Sequence, residues 1–101
     1  MPNLLLKGGR VIDPAQKLDR TVDVHFMGGR VAAIGPDLAA GPGIPVRDVA
    51  GFLVVPGLID LHSHVYWGGT SMGVEVEPVA RRSGTTTFVD AGSAGPGHVF
   101  G

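Results

Sequence analysis

Cysteine is absent from the chain. That excludes a disulfide frame and any thiolate metal site, and it suits a reducing compartment. An excess of one charge is also lacking. Eight basic residues stand against nine acidic ones, a formal net charge of −1, so no nucleic-acid or acidic-membrane partner is implied. No apolar run approaches the roughly 20 residues of a membrane span. Met1 to Lys7 has neither the basic start nor the long apolar stretch of a signal peptide. The default expectation is a soluble cytoplasmic protein. What the chain does have is turn residues: 17 glycines and 8 prolines in 101 residues. They sit between apolar runs, so they punctuate structure and do not form a low-complexity tract. The length is one domain's worth.

Taken in order, Asn3 to Ile12 reads as two short strands joined at Gly8-Gly9, followed by an Asp13-Pro14 turn. In Thr21 to Ile34, Val22, Val24 and Phe26 alternate with Asp23 and His25, the pattern of a half-buried strand. Gly28-Gly29 turns the chain back. Gly-Gly-Arg-Val occurs at Gly8 to Val11 and again at Gly28 to Val31, which suits a tight hairpin twice. Gly35 to Pro45 reads as a surface loop. Val46 to Val49 and Phe52 to Val55 read as a further strand pair around Ala50-Gly51. Residues 1–55 are therefore expected to form a small antiparallel β unit.

The second part is organised by Pro56-Gly57-Leu58-Ile59-Asp60-Leu61-His62-Ser63-His64. Leu58 to Leu61 is expected to be a buried parallel strand. Alternation puts Asp60, His62 and His64 on one face. Two neutral imidazoles two residues apart can hold one metal ion, and zinc is a suitable one. A bare His-x-His is a weak signal; closing an apolar strand after Pro-Gly makes it a sharper one. Val65 to Gly73 follows as a glycine- and aromatic-rich loop. Val74 to Ser83 reads as a short helix with Pro78 in its first turn and Gly84 just past its end. Thr85 to Val89 is the next strand, with Asp90 at its C-terminal end. His25 and His98 each stand alone, without a partner at ligand spacing.

With Ser83-Gly84-Thr85-Thr86-Thr87 some twenty residues after the His pair, these motifs make the chain resemble the amidohydrolase superfamily of metal-dependent hydrolases, over essentially its whole length. The resemblance implies an α/β fold: half of a small β-sandwich over residues 1–55, then the start of a (β/α)8 TIM-type barrel over residues 56–101. A closed barrel needs about 250 residues, so the chain is expected to be the N-terminal part of a larger enzyme, unstable and inert alone. The resemblance further implies a divalent metal, one or two ions with zinc expected, held in part by His62 and His64. Asp60 would support those ligands from behind. A lysine, two more histidines and a proton-handling aspartate would come from later strands, so no catalytic residue falls in this chain; Lys7 and Lys17 lie in the N-terminal region. Tyr66, Trp67, Asp90 and Ser93 are candidates for the substrate pocket; the alternatives are that Tyr66 and Trp67 simply cover the barrel mouth and that Asp90 caps the glycine-rich turn after it, the reading that turn chemistry favours. The substrate is a small molecule, and no feature reports the oligomeric state. Dihydroorotases typically carry Arg at the position of Tyr66 and Met-Pro-Asn-Thr where Ala91-Gly92-Ser93-Ala94 stands. Those departures argue against a true dihydroorotase; the stretches His64 to Ser71 and Val89 to Gly95 look most like a deacetylase-type branch, a resemblance that implies action on N-acyl or O-acyl bonds of small carboxylic acids. A cyclic-amide hydrolase, or a non-catalytic metal-binding remnant, is the alternative.

Overall fold

The computed structural model describes residues 2–69, 71 and 73–93. It divides into two compact units, Met1–Pro56 and Gly57–Gly101.

The first unit is a five-stranded mixed sheet. Its strands are β1 (Leu4–Asp13), β2 (Leu18–Met27), β3 (Arg30–Gly35), β4 (Val46–Asp48) and β5 (Leu53–Val54). They run in the order β3-β2-β1-β4, with β5 also on β1. The expected hairpin at Gly8-Gly9 does not form: β1 is one continuous strand of ten residues. Its register against β2 shifts between Leu6 and Gly9, so Gly8, at φ 77°, supplies a β-bulge. The extra residue resets the alternation, so that Leu6 and Val11 pack into one cluster with Val22, Val24 and Phe26. The second Gly-Gly does make a hairpin. Gly28 and Gly29 both have positive φ (59° and 76°) between the paired Met27 and Arg30, as a type I′ turn requires.

The expected pairing of Val46–Val49 with Phe52–Val55 is also replaced. β4 and β5 each run parallel to β1, on Leu5–Lys7 and Arg10–Val11 respectively. The unit is therefore mixed and not antiparallel. A turn closed by Phe52 N–H to Val49 O (3.0 Å) carries the chain past the bulge. Gly9 is buried beneath it: a Cβ there would lie 2.7 Å from Val54 Cγ2 and 2.9 Å from Val49 Cγ2. On the opposite face Asp23 is buried and accepts from Gly8 N–H (2.9 Å) and Leu38 N–H (3.0 Å). It also pairs with Lys7 Nζ at 2.9 Å. One carboxylate thus joins the bulge to the loop that follows β3. Alternation alone places Asp23 toward water; the loop covers it.

The second unit is a β-α-β element: β6 (Leu58–Ser63), α1 (Val76–Ser83) and β7 (Thr85–Asp90). β6 and β7 are parallel. Gly57 permits their close start, since a Cβ there would meet Thr86 Oγ1 at 2.1 Å. α1 ends on Gly84 in the left-handed conformation (φ 72°), whose N–H returns to Ala80 O, the ending that glycine favours. The expectation of a buried β6 is corrected. Ile59 is 62% and Leu61 74% exposed, because among the described residues nothing packs over those faces of the two-stranded sheet.

Candidate metal-binding strand end

β6 delivers its histidines at its C-terminal end, the end at which βα loops gather in α/β barrels. His62 lies in the strand and His64 just beyond it. Their ring centroids are 5.6 Å apart and the rings are nearly perpendicular, at 80°. Two imidazoles sharing one ion at about 2.1 Å from each nitrogen, in tetrahedral geometry, have centroids roughly 5–6 Å apart. The observed spacing fits that arrangement. His64 Nδ1 is moreover buried without a hydrogen-bond partner, a nitrogen that requires one. Two imidazole nitrogens are the kind of donor a tetrahedral zinc site uses, and the pair could supply two of its four. Among the described residues no group of three or more His, Cys, Asp or Glu comes together.

Asp60 does not reach either ring with a hydrogen bond. Its Oδ1 accepts from the His62 backbone N–H at 3.0 Å. That bond falls at the point where the β6–β7 register breaks, between Asp60 and Ser63. The side chain therefore stands in for a missing ladder contact beside the first histidine.

The loop after His64 is closed at its base by Val74 N–H to His64 O (2.8 Å). Asp90, at the end of β7, holds its first residues. Oδ2 accepts from Val65 N–H (2.9 Å) and Tyr66 N–H (3.2 Å). Oδ1 accepts from Ser93 N–H (2.7 Å), and the Ser93 hydroxyl donates to Oδ2. Led by the Ser93 hydroxyl and the Val65 N–H, these donors hold the Asp90 carboxyl down at about 2. Tyr66 is packed on glycine: a Cβ on Gly69 would lie 2.2 Å from Tyr66 Cε1, and one on Gly73 2.3 Å from Tyr66 O. Trp67 is 65% exposed.

The structure thus brings together His62 with His64, and Asp90 with Ser93, Val65 and Tyr66. His25 lies on β2 in the first unit with Nε2 buried and unpartnered, while His98 lies outside the described residues. Sequence reasoning missed Ser63, whose Oγ donates to Val89 O (3.0 Å) and whose carbonyl accepts from Ala91 N–H (2.8 Å). It also missed the packing roles of Gly69 and Gly73. The Asp90-x-x-Ser93 spacing, typical of side-chain turns, is the signal for the clamp.

No protein-family model matches the chain. The dihydroorotase of Citrifermentans bemidjiense is 52% identical over 63 residues, covering 62% of this chain and 15% of that protein. A crystal structure of a dihydroorotase superposes with a TM-score of 0.69 at 27% identity, over 89% of this chain and 23% of its own. The D-hydantoinase (dihydropyrimidinase) of a Thermus species gives a TM-score of 0.66 at 32% identity, over 86% and 20%. A β unit followed by a β-α-β element with its histidines at the strand end, together with these matches, supports the amidohydrolase superfamily for this chain, over the N-terminal part of its members. Within the superfamily it is dihydroorotase-like. The chain spans less than a quarter of the length of these relatives.

Proposed function

We propose that the chain contributes the first metal-binding strand of a cyclic amidohydrolase, an enzyme that opens a small cyclic amide or imide with water. The observation that carries this reading is the His62–His64 pair, 5.6 Å apart at the end of parallel strand β6. The names of its relatives, dihydroorotase and D-hydantoinase, favour ring opening over the deacetylase-like reaction that the residues after His64 suggest.

His62 and His64 would hold a divalent ion, with zinc the expected one. Bound there, the ion supplies an acidified water and polarises the scissile carbonyl. Asp60 fixes the His62 backbone. The β6-α1-β7 element would be the opening of a (β/α)8 barrel, whose remaining strands bring the other ligands from residues outside this chain. Tyr66 stands where dihydroorotases typically have an arginine for the substrate carboxylate. Its ring packs on Gly69 and offers no guanidinium, so a neutral ring is the better substrate. A soluble, cytoplasmic setting and a small-molecule substrate complete the reading.

The test is a substrate panel on the protein expressed from its complete reading frame with zinc. Ring opening of hydantoins or dihydropyrimidines, with slower turnover of dihydroorotate, is expected. Turnover of N-acetyl or O-acetyl substrates without any ring opening overturns the reading in favour of a deacylase.

A further inference from the structure

We infer that Asp90 is a positioning residue whose carboxylate fixes the peptide after His64 and so holds the two imidazoles at the spacing a shared ion needs. The inference rests on the metal-hydrolase reading above. Peptide groups around the histidines are tied down one after another. His62 N–H goes to Asp60 (3.0 Å). Ser63 is bound to the end of β7 through Val89 O (3.0 Å) and Ala91 N–H (2.8 Å). The His64 carbonyl accepts from Val74 N–H (2.8 Å). Beyond His64 the chain leaves the strand, and there Val65 and Tyr66 N–H both turn to Asp90 Oδ2 (2.9 and 3.2 Å).

The carboxylate is itself fixed from the other side by Ser93, through its N–H (2.7 Å) and its hydroxyl. Four donors converge on one group, and an ionised carboxylate accepts at both oxygens. An asparagine of the same size must aim its NH2 either at the Val65 and Tyr66 N–H or at the Ser93 N–H. Asp90→Asn therefore keeps the volume and opens the clamp. The peptide after His64 loses its anchor, while both rings and the backbone bonds of His62 and His64 themselves remain.

The experiment uses the protein from its complete reading frame, wild type beside Asp90→Asn and Ser93→Ala. Zinc affinity is read by competition with a chelator, amide exchange over residues 62–68 by mass spectrometry, and folding by circular dichroism. The expected result for Asp90→Asn is a fall in zinc affinity of about tenfold, the lower end for supporting partners. Faster exchange should be confined to residues 62–68. Ser93→Ala, which removes one of the four donors, should show a smaller loss of the same kind. A folded Asp90→Asn variant with wild-type zinc affinity overturns the inference, as does zinc loss without faster exchange in that segment. If Asp90→Asn does not fold, Ser93→Ala decides: wild-type affinity overturns the inference and a severalfold loss supports it. A wild-type protein that binds no zinc rejects the metal-hydrolase reading itself, and the positioning role with it.

Discussion

Asp23, Asp60 and Asp90 all accept from backbone N–H groups, and they differ in the side chain that joins in: Lys7 at Asp23, Ser93 at Asp90 and, among the described residues, none at Asp60. Asp23 takes Lys7 Nζ at 2.9 Å together with the Gly8 and Leu38 N–H. The Lys7 ammonium, ahead of the two backbone donors, holds its carboxyl below the usual range. A carboxyl depressed on folding adds stability that is present above its unfolded value, about 3.9, and is lost as pH falls through the lower folded value. The expected outcome is that the Gly8 and Leu38 amide shifts titrate together in acid, with a midpoint below 3.9. In Lys7→Met that midpoint should rise toward the unfolded value; an unmoved midpoint would contradict the assignment. At this scale the pairing of His62 with His64 was legible from a two-residue spacing on an apolar strand. The partners of Asp23 and Asp60 were not, nor were the Val65 and Tyr66 amides on Asp90, whereas its turn with Ser93 was signalled by their spacing. A carboxylate chooses among backbone N–H groups, and which of these lie in reach depends on where the chain turns, not on residue type.

Secondary structure follows local sequence here more closely than pairing does. Val76–Ser83 is helical with Pro78 in the first turn and Gly84 as its stop, and Thr85–Asp90 is a strand. The same Gly-Gly-Arg-Val string gives a bulge inside β1 and a hairpin turn after β2. Glycine permits both, and the outcome depends on whether the following segment finds its own partner. After Gly8-Gly9 the strand continues because β5 pairs with Arg10 and Val11. The two glycine sites therefore respond differently to substitution. At Gly9 an added Cβ collides with Val49 and Val54 (2.9 and 2.7 Å), whereas nothing lies within 4 Å of a Cβ on Gly28. Gly9→Ala should cost about 1–3 kcal/mol through overpacking. Gly28→Ala should cost about 1–2 kcal/mol through its left-handed backbone. Val49→Ala should recover part of the first loss and none of the second, as read by urea midpoints in a double-mutant cycle. Equal recovery at both sites would show that the Gly9 cost is not steric.

At the scale of the whole molecule, each unit leaves apolar surface uncovered within itself. Phe52 is 67% exposed in the first, and Ile59 and Leu61 stand out from β6 in the second. Uncovered strand faces and edges associate in water. The 101-residue chain alone is expected to self-associate and bind hydrophobic dyes, without a sharp monomeric melting transition. Light scattering from a monomer, with a cooperative transition, would contradict this. Composition and periodicity did not indicate which strand faces would be bare. On the proposed function, His62 and His64 are ligands of a divalent ion in a cyclic amidohydrolase. The most direct test is metal analysis of the protein from its complete reading frame, comparing wild type with His64→Asn. Bound zinc or another divalent ion is expected in the wild type, with an affinity lowered by more than about 100-fold in the variant, beyond the effect of losing a supporting partner. Equal metal content and affinity in the two proteins would contradict it.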